Sequence, residues 1–426
     1  MKHSGSLGVI GMLASVLLPL SCISRKFFND SRSSVAQLQE PEKDPIQQLI
    51  KWEVGFNLPM FQYAVRTDSK VEIESTRVPR DRANIRWFGQ DPGSVKRFIE
   101  IAGVAAEVRW PKHPANTVSS VPFFAQPSDP ALSFQGHYSA SRSMFVLLDD
   151  GSAFSIKLPS GSPHAKTNSD VAKDDLASEL RLIPILTEHF RDSQKQKTPR
   201  ADLVLLLEIG TVSEKETGNG FSIRDYRPLQ RTRNFYLPAF SLHHVATAMY
   251  QSCTGVSQQP DPAVVQKYWM ENYLAAVGRA KAALLLDYGL FESTPHGQNW
   301  LIELKAGNFC PTGRMVFRDI ADTKPVITPA RLLGYESFVA AWTAEGGVPR
   351  NSVDLKRSQF AMVTDSPLFA NVGGAAEQAQ LSGFLQVLGA PFLSQKQRQV
   401  SAWVKENLVA FGYPDTQAQA RYPEPD

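Results

Sequence analysis

The sequence predicts an α+β chain whose C-terminal half is helical. Three observations carry that prediction. Two β-prone runs, Met144–Leu148 and Ala153–Leu158, flank Asp149-Asp150-Gly151, a tight-turn signal that asks for positive φ. Pro262–Asp287 is rich in Ala and Leu and closes on Gly289, as a long helix does. Three more stretches with helical spacing follow at 332–344, 375–388 and 395–411.

Length and composition set the outer bounds. The chain has 426 residues, enough for two or three structural units or one large composite domain. Hydrophobic residues make up 42% and charged residues 20%, which allows a sizeable core and excludes a mainly disordered chain. Lys and Arg exceed Asp and Glu by 45 − 42 = 3, too little to imply a nucleic-acid partner. Cys22, Cys253 and Cys310 are the only cysteines, which excludes a disulfide scaffold and a zinc ribbon. Spacing does not say whether Cys253 and Cys310 pair.

The N-terminus reads as an address. Lys2 and His3 precede an apolar run, Leu7–Leu20, too short to span a hydrocarbon core but suited to a signal peptide. Ser21-Cys22 then resembles a bacterial lipoprotein cleavage site, with the Cys22 thiol carrying the lipid. Residues 1–22 are therefore expected to be a lipoprotein-type signal and 23–45 a polar linker. The expected location is the cell envelope, anchored to the membrane by lipid, or the cytoplasm if the segment is no signal. No later stretch has 18 consecutive apolar residues.

Further elements follow in order. Residues 46–125 read as an N-terminal α/β region and 126–330 as the region bearing the chemistry. The remainder divides into a helical part at 331–412 and a polar tail at 413–426. Within 126–330, Asp174–Phe190 has helical spacing, with Pro184 expected to kink or end it. Leu203–Ile209 reads as one buried strand and Phe221–Asp225 as another. Trp300–Leu304 and Met315–Asp319 read as two strands around a Gly-containing turn.

The most informative stretch joins the long helix to these strands. After Gly289 a polar loop presents His296, Gln298 and Asn299, and the hairpin returns Asp319 to their neighbourhood. A carboxamide and a carboxylate meeting there suit Mg²⁺, which takes oxygen ligands and keeps several waters. Protein kinases use this arrangement, an Asn and a later Asp holding magnesium on a triphosphate. The plainer alternative is a polar loop whose side chains only cap turns. There is no GxxxxGK[ST], no GxGxxG and no GxSxG. His243-His244 falls in an expected helix without a further ligand at metal spacing.

The order of motifs resembles the NRPS-independent siderophore synthetases, the aerobactin-synthetase (IucA/IucC-like) family. Tyr288-Gly-Leu-Phe-Glu-Ser-Thr-Pro-His-Gly-Gln-Asn299 with Val316-Phe-Arg-Asp319 matches the family's "yGialEaHxQN…lRD". Ser139-Ala-Ser-Arg142 and Ser155-Ile-Lys157-Leu match its "S-x-R-T" and "hK-l" elements. Gly220-Phe-Ser-Ile-Arg224-Asp225, followed by Pro228, resembles "gx-hhRE-P". The chain differs from the pattern in two places. Thr294 stands two before the histidine, where an acid is expected, and the nearest acid is Glu292. No arginine follows the Lys157 strand, where Lys166 and Lys173 are the nearby cations.

The resemblance implies a siderophore-synthetase-like fold with a kinase-like ATP cradle. It also implies a ligase that uses ATP and Mg²⁺ to adenylate a citrate-type carboxylate and pass it to an amine or hydroxyl. Lys157 would reach ATP phosphates, and Arg142 and Arg224 would face phosphate or the acid. His296 would donate to developing charge, and Asn299 and Asp319 would hold Mg²⁺ with Gln298 supporting the loop. The partners implied are small carboxylate and amine substrates, with a homodimer left open. An exported chain would meet little ATP, so two other readings stand beside this one. One is an envelope lipoprotein that keeps the fold as a binding module; the other is a phosphotransferase on the same cradle.

Overall fold

The computed structural model describes residues 44–55, 70–89, 92–103, 106–114, 122–139, 142–159, 176–196, 200, 202–292, 296–350, 366–372 and 374–408. The expected signal, Cys22 and most of the expected linker lie outside them. Among the described residues no helix is long and apolar enough to cross a membrane.

Seven strands form one antiparallel sheet, in the order Lys70–Ile73, Phe134–Tyr138, Ser143–Leu147, Ala153–Lys157, Gly220–Asp225, Glu208–Glu214 and Ala83–Trp87. The hairpin read from Asp-Asp-Gly is at its centre, with Gly151 at φ 82°. Its alternation explains why the sheet has two unlike faces. Phe154 and Ile156, with Phe221 and Ile223 beside them, are fully buried in an apolar cluster with Val95, Ile99, Val108 and Trp110. Ser155, Lys157, Ser222 and Arg224 alternate with those residues and point to the other face. The sheet draws strands from both 46–125 and 126–330, so the boundary expected at 125 separates no layers.

A second sheet runs Phe235–Pro238, Trp300–Leu304, Pro311–Phe317 and Leu203–Leu205, the last pair parallel. The run 203–209 is thus not one strand. Leu203–Leu205 belongs to the second sheet, while Glu208–Glu214 belongs to the first. An apolar run announces burial but not which sheet will take it, and this one is divided between two. Of the two outcomes expected at Pro184, a kink or an end, the helix does not end there: Ala177–Gln196 continues through it. The expected long helix is Pro262–Trp269 and Ala275–Tyr288 joined by a π-helical turn, Met270–Leu274. The expected helix at 332–344 is two, Ile327–Leu333 and Glu336–Ala344, parted at Gly334 with φ 84°.

The helical half is organised around Ala275–Tyr288, whose sides are nearly all buried. It crosses Gly374–Leu388 at two glycines. A Cβ on Gly278 would fall 1.9 Å from the Gln380 carbonyl oxygen, and one on Gly383 would fall 1.9 Å from that of Ala275. Leu285, Leu286, Phe384, Leu388, Val400 and Val404 fill the core beside this crossing. Cys253 and Cys310 form a disulfide with Cα atoms 4.8 Å apart, tying the helix Leu242–Thr254 to the turn before Pro311–Phe317. Its partners are 57 residues apart, a loop whose closure stabilises the fold by about 4 kcal/mol in chain-entropy terms.

The glycine crossing leaves no room for a side chain. Gly278→Val should lower unfolding stability by about 3 kcal/mol in urea titration, whereas Gly307→Ala, in open space, should leave it nearly unchanged.

Candidate functional site

The polar face of the large sheet meets the end of the small one. Lys157 lies opposite Ser143 on one neighbouring strand and Ser222 on the other, and Arg224 lies opposite Ser155. The two cations therefore rise from adjacent strands on one face. Asp319 reaches them from the second sheet, two residues after Phe317. Lys157 Nζ is 3.1 Å from Asp319 Oδ2, and Arg224 Nη2 is 3.3 Å from Asp319 Oδ1.

Asp319 is placed by its neighbour. Arg318 is 3% exposed and points away from the cleft, with Nη1 donating to Glu53 Oε2 at 2.7 Å and Nε to the Gln298 carbonyl at 2.6 Å. Glu53 comes from the helix Pro45–Gly55 and also accepts from Ser139 Oγ at 2.6 Å. One buried carboxylate thereby joins the Ser139 and Arg318-Asp319 segments. The Arg318 amide donates to the Asn299 carbonyl, which brings the polar loop alongside.

The Asn299 carboxamide is fixed by its donors. Nδ2 bonds Asp322 Oδ2 at 2.7 Å and Glu292 Oε1 at 3.4 Å. Two carboxylates on the nitrogen leave Oδ1 as the acceptor end of the group. Glu292 is fully buried, accepts from Trp300 Nε1 at 3.1 Å, and lies 3.6 Å from the equally buried Lys281 Nζ. His296 opens the turn before Asn299; its Nε2 is 4.0 Å from Asp322 Oδ2 and its Nδ1 is buried without a hydrogen bond among the described residues. Burial, only partly opposed by Asp319, lowers the His296 pKa and so favours the neutral ring.

The arrangement brings together Lys157, Arg224, His296, Asn299 and Asp319. Gln298 contributes its carbonyl to Arg318. Arg142 joins through Glu179, whose Oε1 is 2.9 Å from Arg142 Nη2 and whose Oε2 is 2.8 Å from Lys157 Nζ. Sequence reasoning missed Glu179, Glu208, Glu53 and Asp322. Glu208, fully buried, holds Arg224 Nη2 at 2.7 Å. Only Asp322 left a local signal, as a second acid one turn after Asp319.

Opposed environments separate the two aspartates. Burial works against the charge of Asp319, but Lys157 and Arg224 outweigh it and hold the carboxyl below its ordinary range. Asp322 is pushed up to about 7, by burial first and then by Asp319. Among the described residues no group of three or more His, Cys, Asp or Glu side chains closes a metal site by itself. The donor set is instead two carboxylates and one carboxamide oxygen. That suits Mg²⁺, which binds through one or two carboxylates and completes its shell with water and substrate phosphates.

No family model and no curated protein matches the sequence. Solved structures do. The aerobactin synthetase IucC from a hypervirulent pathotype of Klebsiella pneumoniae superposes with a TM-score of 0.51 at 17% identity, over 79% of this chain and 64% of that one. ATP-bound aerobactin synthetase IucA from the same organism gives 0.49 at 11% identity, over 90% and 73%. The petrobactin biosynthesis protein AsbB from Bacillus anthracis gives 0.46 at 13%, over 91% and 71%. The fold is that of the siderophore synthetases, mixed helix and sheet, at low identity. This chain spans 64% of the length of the IucC synthetase.

The raised pKa of Asp322 makes a prediction about stability. A carboxyl that holds its proton more tightly folded than unfolded contributes fully below its ordinary value of 3.8, and that contribution is lost as pH rises through about 7. In chelator, the wild-type Tm should fall between pH 5 and pH 8. Asp322→Asn, which cannot ionise, should show a smaller fall and melt higher than wild type at pH 8.

Proposed function

We propose that this protein is an ATP- and Mg²⁺-dependent ligase that adenylates a citrate-type carboxylate and condenses it with an amine or hydroxyl. The observation that carries the reading is the shared grip of Lys157 and Arg224 on Asp319, with Asn299 and a neutral His296 beside it. Residues far apart in the chain converge there. The siderophore-synthetase fold supports the same reading.

Each side chain has a physical task in this scheme. Asn299 Oδ1, Asp319 and Asp322 would hold Mg²⁺, which would supply positive charge to offset that of phosphate. Lys157, freed from Asp319, would neutralise the polyphosphate as a point charge, and the planar forks of Arg142 and Arg224 would orient phosphate or carboxylate. Neutral His296 would donate to charge developing at the acyl centre. The metal is needed on charge grounds. Arg142, Lys157 and Arg224 face Glu179, Glu208 and Asp319, so a bare polyphosphate would meet three cations already balanced by three carboxylates.

The disulfide favours a second reading. Bonds of this kind persist in oxidising compartments, where ATP is scarce. On that reading, an envelope lipoprotein acylated at Cys22 retains the fold to bind a small polycarboxylate or a partner.

Two measurements separate the readings. Calorimetry on the full chain should show Mg-ATP binding that is weak without Mg²⁺ and falls about a hundredfold, ~2.7 kcal/mol, in Asp319→Asn. Pyrophosphate exchange should then depend on a citrate-like acid; absence of both binding and exchange sinks the ligase. Labelled palmitate incorporated by wild type but not by Cys22→Ala would establish the lipid anchor.

A further inference from the structure

We infer that Glu179 is a positioning residue that binds Arg142 and Lys157 into one anion-facing unit and stays with them when the ligand arrives. This deepens the ATP-site reading and rests on it. The two cations sit at the open end of the central hairpin, where Ser143, next to Arg142, lies opposite Lys157. Like charges so placed repel, and a shared counter-ion offsets that repulsion. Glu179 supplies that counter-ion with one oxygen for each, at 2.9 and 2.8 Å. Asp319 takes a different position on Lys157, at 3.1 Å from the second sheet.

A carboxylate on two binding cations could equally be a plug that the ligand expels. The packing argues against that. Glu179 stands in the first turn of the helix Ala177–Gln196, where the helix N-terminus favours negative charge. Leu180 and Ile183 of the same helix, with Leu176 just before it, pack against Phe88 and Ala321. Ala321 lies in the turn Ile320–Asp322, between the two aspartates. Moving the helix would therefore drag the turn that carries Asp322, so the backbone beneath Glu179 keeps its place behind the two cations. Protein kinases divide the work in the same way, with a helix glutamate holding a strand lysine against phosphate.

The test is a double-mutant cycle read by calorimetry on the full chain with Mg-ATP. Glu179→Gln should weaken binding at least tenfold, whereas in a Lys157→Met background the same change should cost less than twofold. Equal or tighter binding by Glu179→Gln, or full additivity in the cycle, overturns the inference. A second readout does not need ATP. The rate at which Lys157 is acylated at pH 8, followed by peptide mass spectrometry, should rise several-fold in Glu179→Gln, because the ammonium loses an anionic partner. An unchanged rate shows that the pair does not exist in solution and also overturns the inference. If wild type binds no Mg-ATP while the acylation rate does rise, the pairing stands, the ligase reading fails, and the assigned role is overturned with it.

Discussion

Two adjacent side chains pointing in opposite directions set the geometry of this molecule. Arg318 turns inward to Glu53 and the Gln298 carbonyl, and Asp319 turns outward to Lys157 and Arg224. Each pair crosses between elements that local sequence does not connect. Buried ion pairs add little net stability by themselves, since desolvation consumes most of the attraction, but losing one partner leaves an uncompensated charge. In this docking of the sheets Arg318, Asp319, Lys157 and Arg224 each find an ionic partner on another element.

The sequence made the parts of this arrangement legible, but not their partners. Asp149-Asp-Gly151 dictated a turn between two β-prone runs, because turn and strand geometry is local. The motif ending in Asn299 and Asp319 was visible because its residues lie on one hairpin. Glu179, Glu208 and Glu53 were invisible for the converse reason. Each is an ordinary carboxylate whose meaning comes from a cation brought to it by tertiary folding. The division of 203–209 between sheets has the same origin, since periodicity records burial and not the identity of the neighbour. Pro184 does not end its helix because Leu180, Ile183, Leu186 and Phe190 are buried, which gives enough packing to absorb one missing hydrogen bond.

Charge neutrality in the cleft shapes what it can accept. Three cations and three carboxylates hold one another in place, and an anion alone would have to break pairs without replacement. On the ligase reading, a metal that took over Asp319 would remove one carboxylate from Lys157 and one from Arg224 together, leaving each its other partner, Glu179 or Glu208, so cation and polyphosphate would be expected to arrive as one species. Glu292 and Lys281 act behind this front, fixing the Asn299 amide from the apolar side.

The passage of the chain at Leu206-Leu207 has a mechanical consequence. Leu206 donates its amide to Phe317 in one sheet, while the Leu207 carbonyl accepts from Asp225 in the other. From there the path runs through Glu208 to Arg224, across to Asp319, and back along Arg318 to Phe317. It is a closed ring of covalent and ionic links, with the cleft on its rim. Such a ring cannot open at one station without loading the rest, so a push delivered at Asp319 is felt in the large sheet as tension along its own backbone.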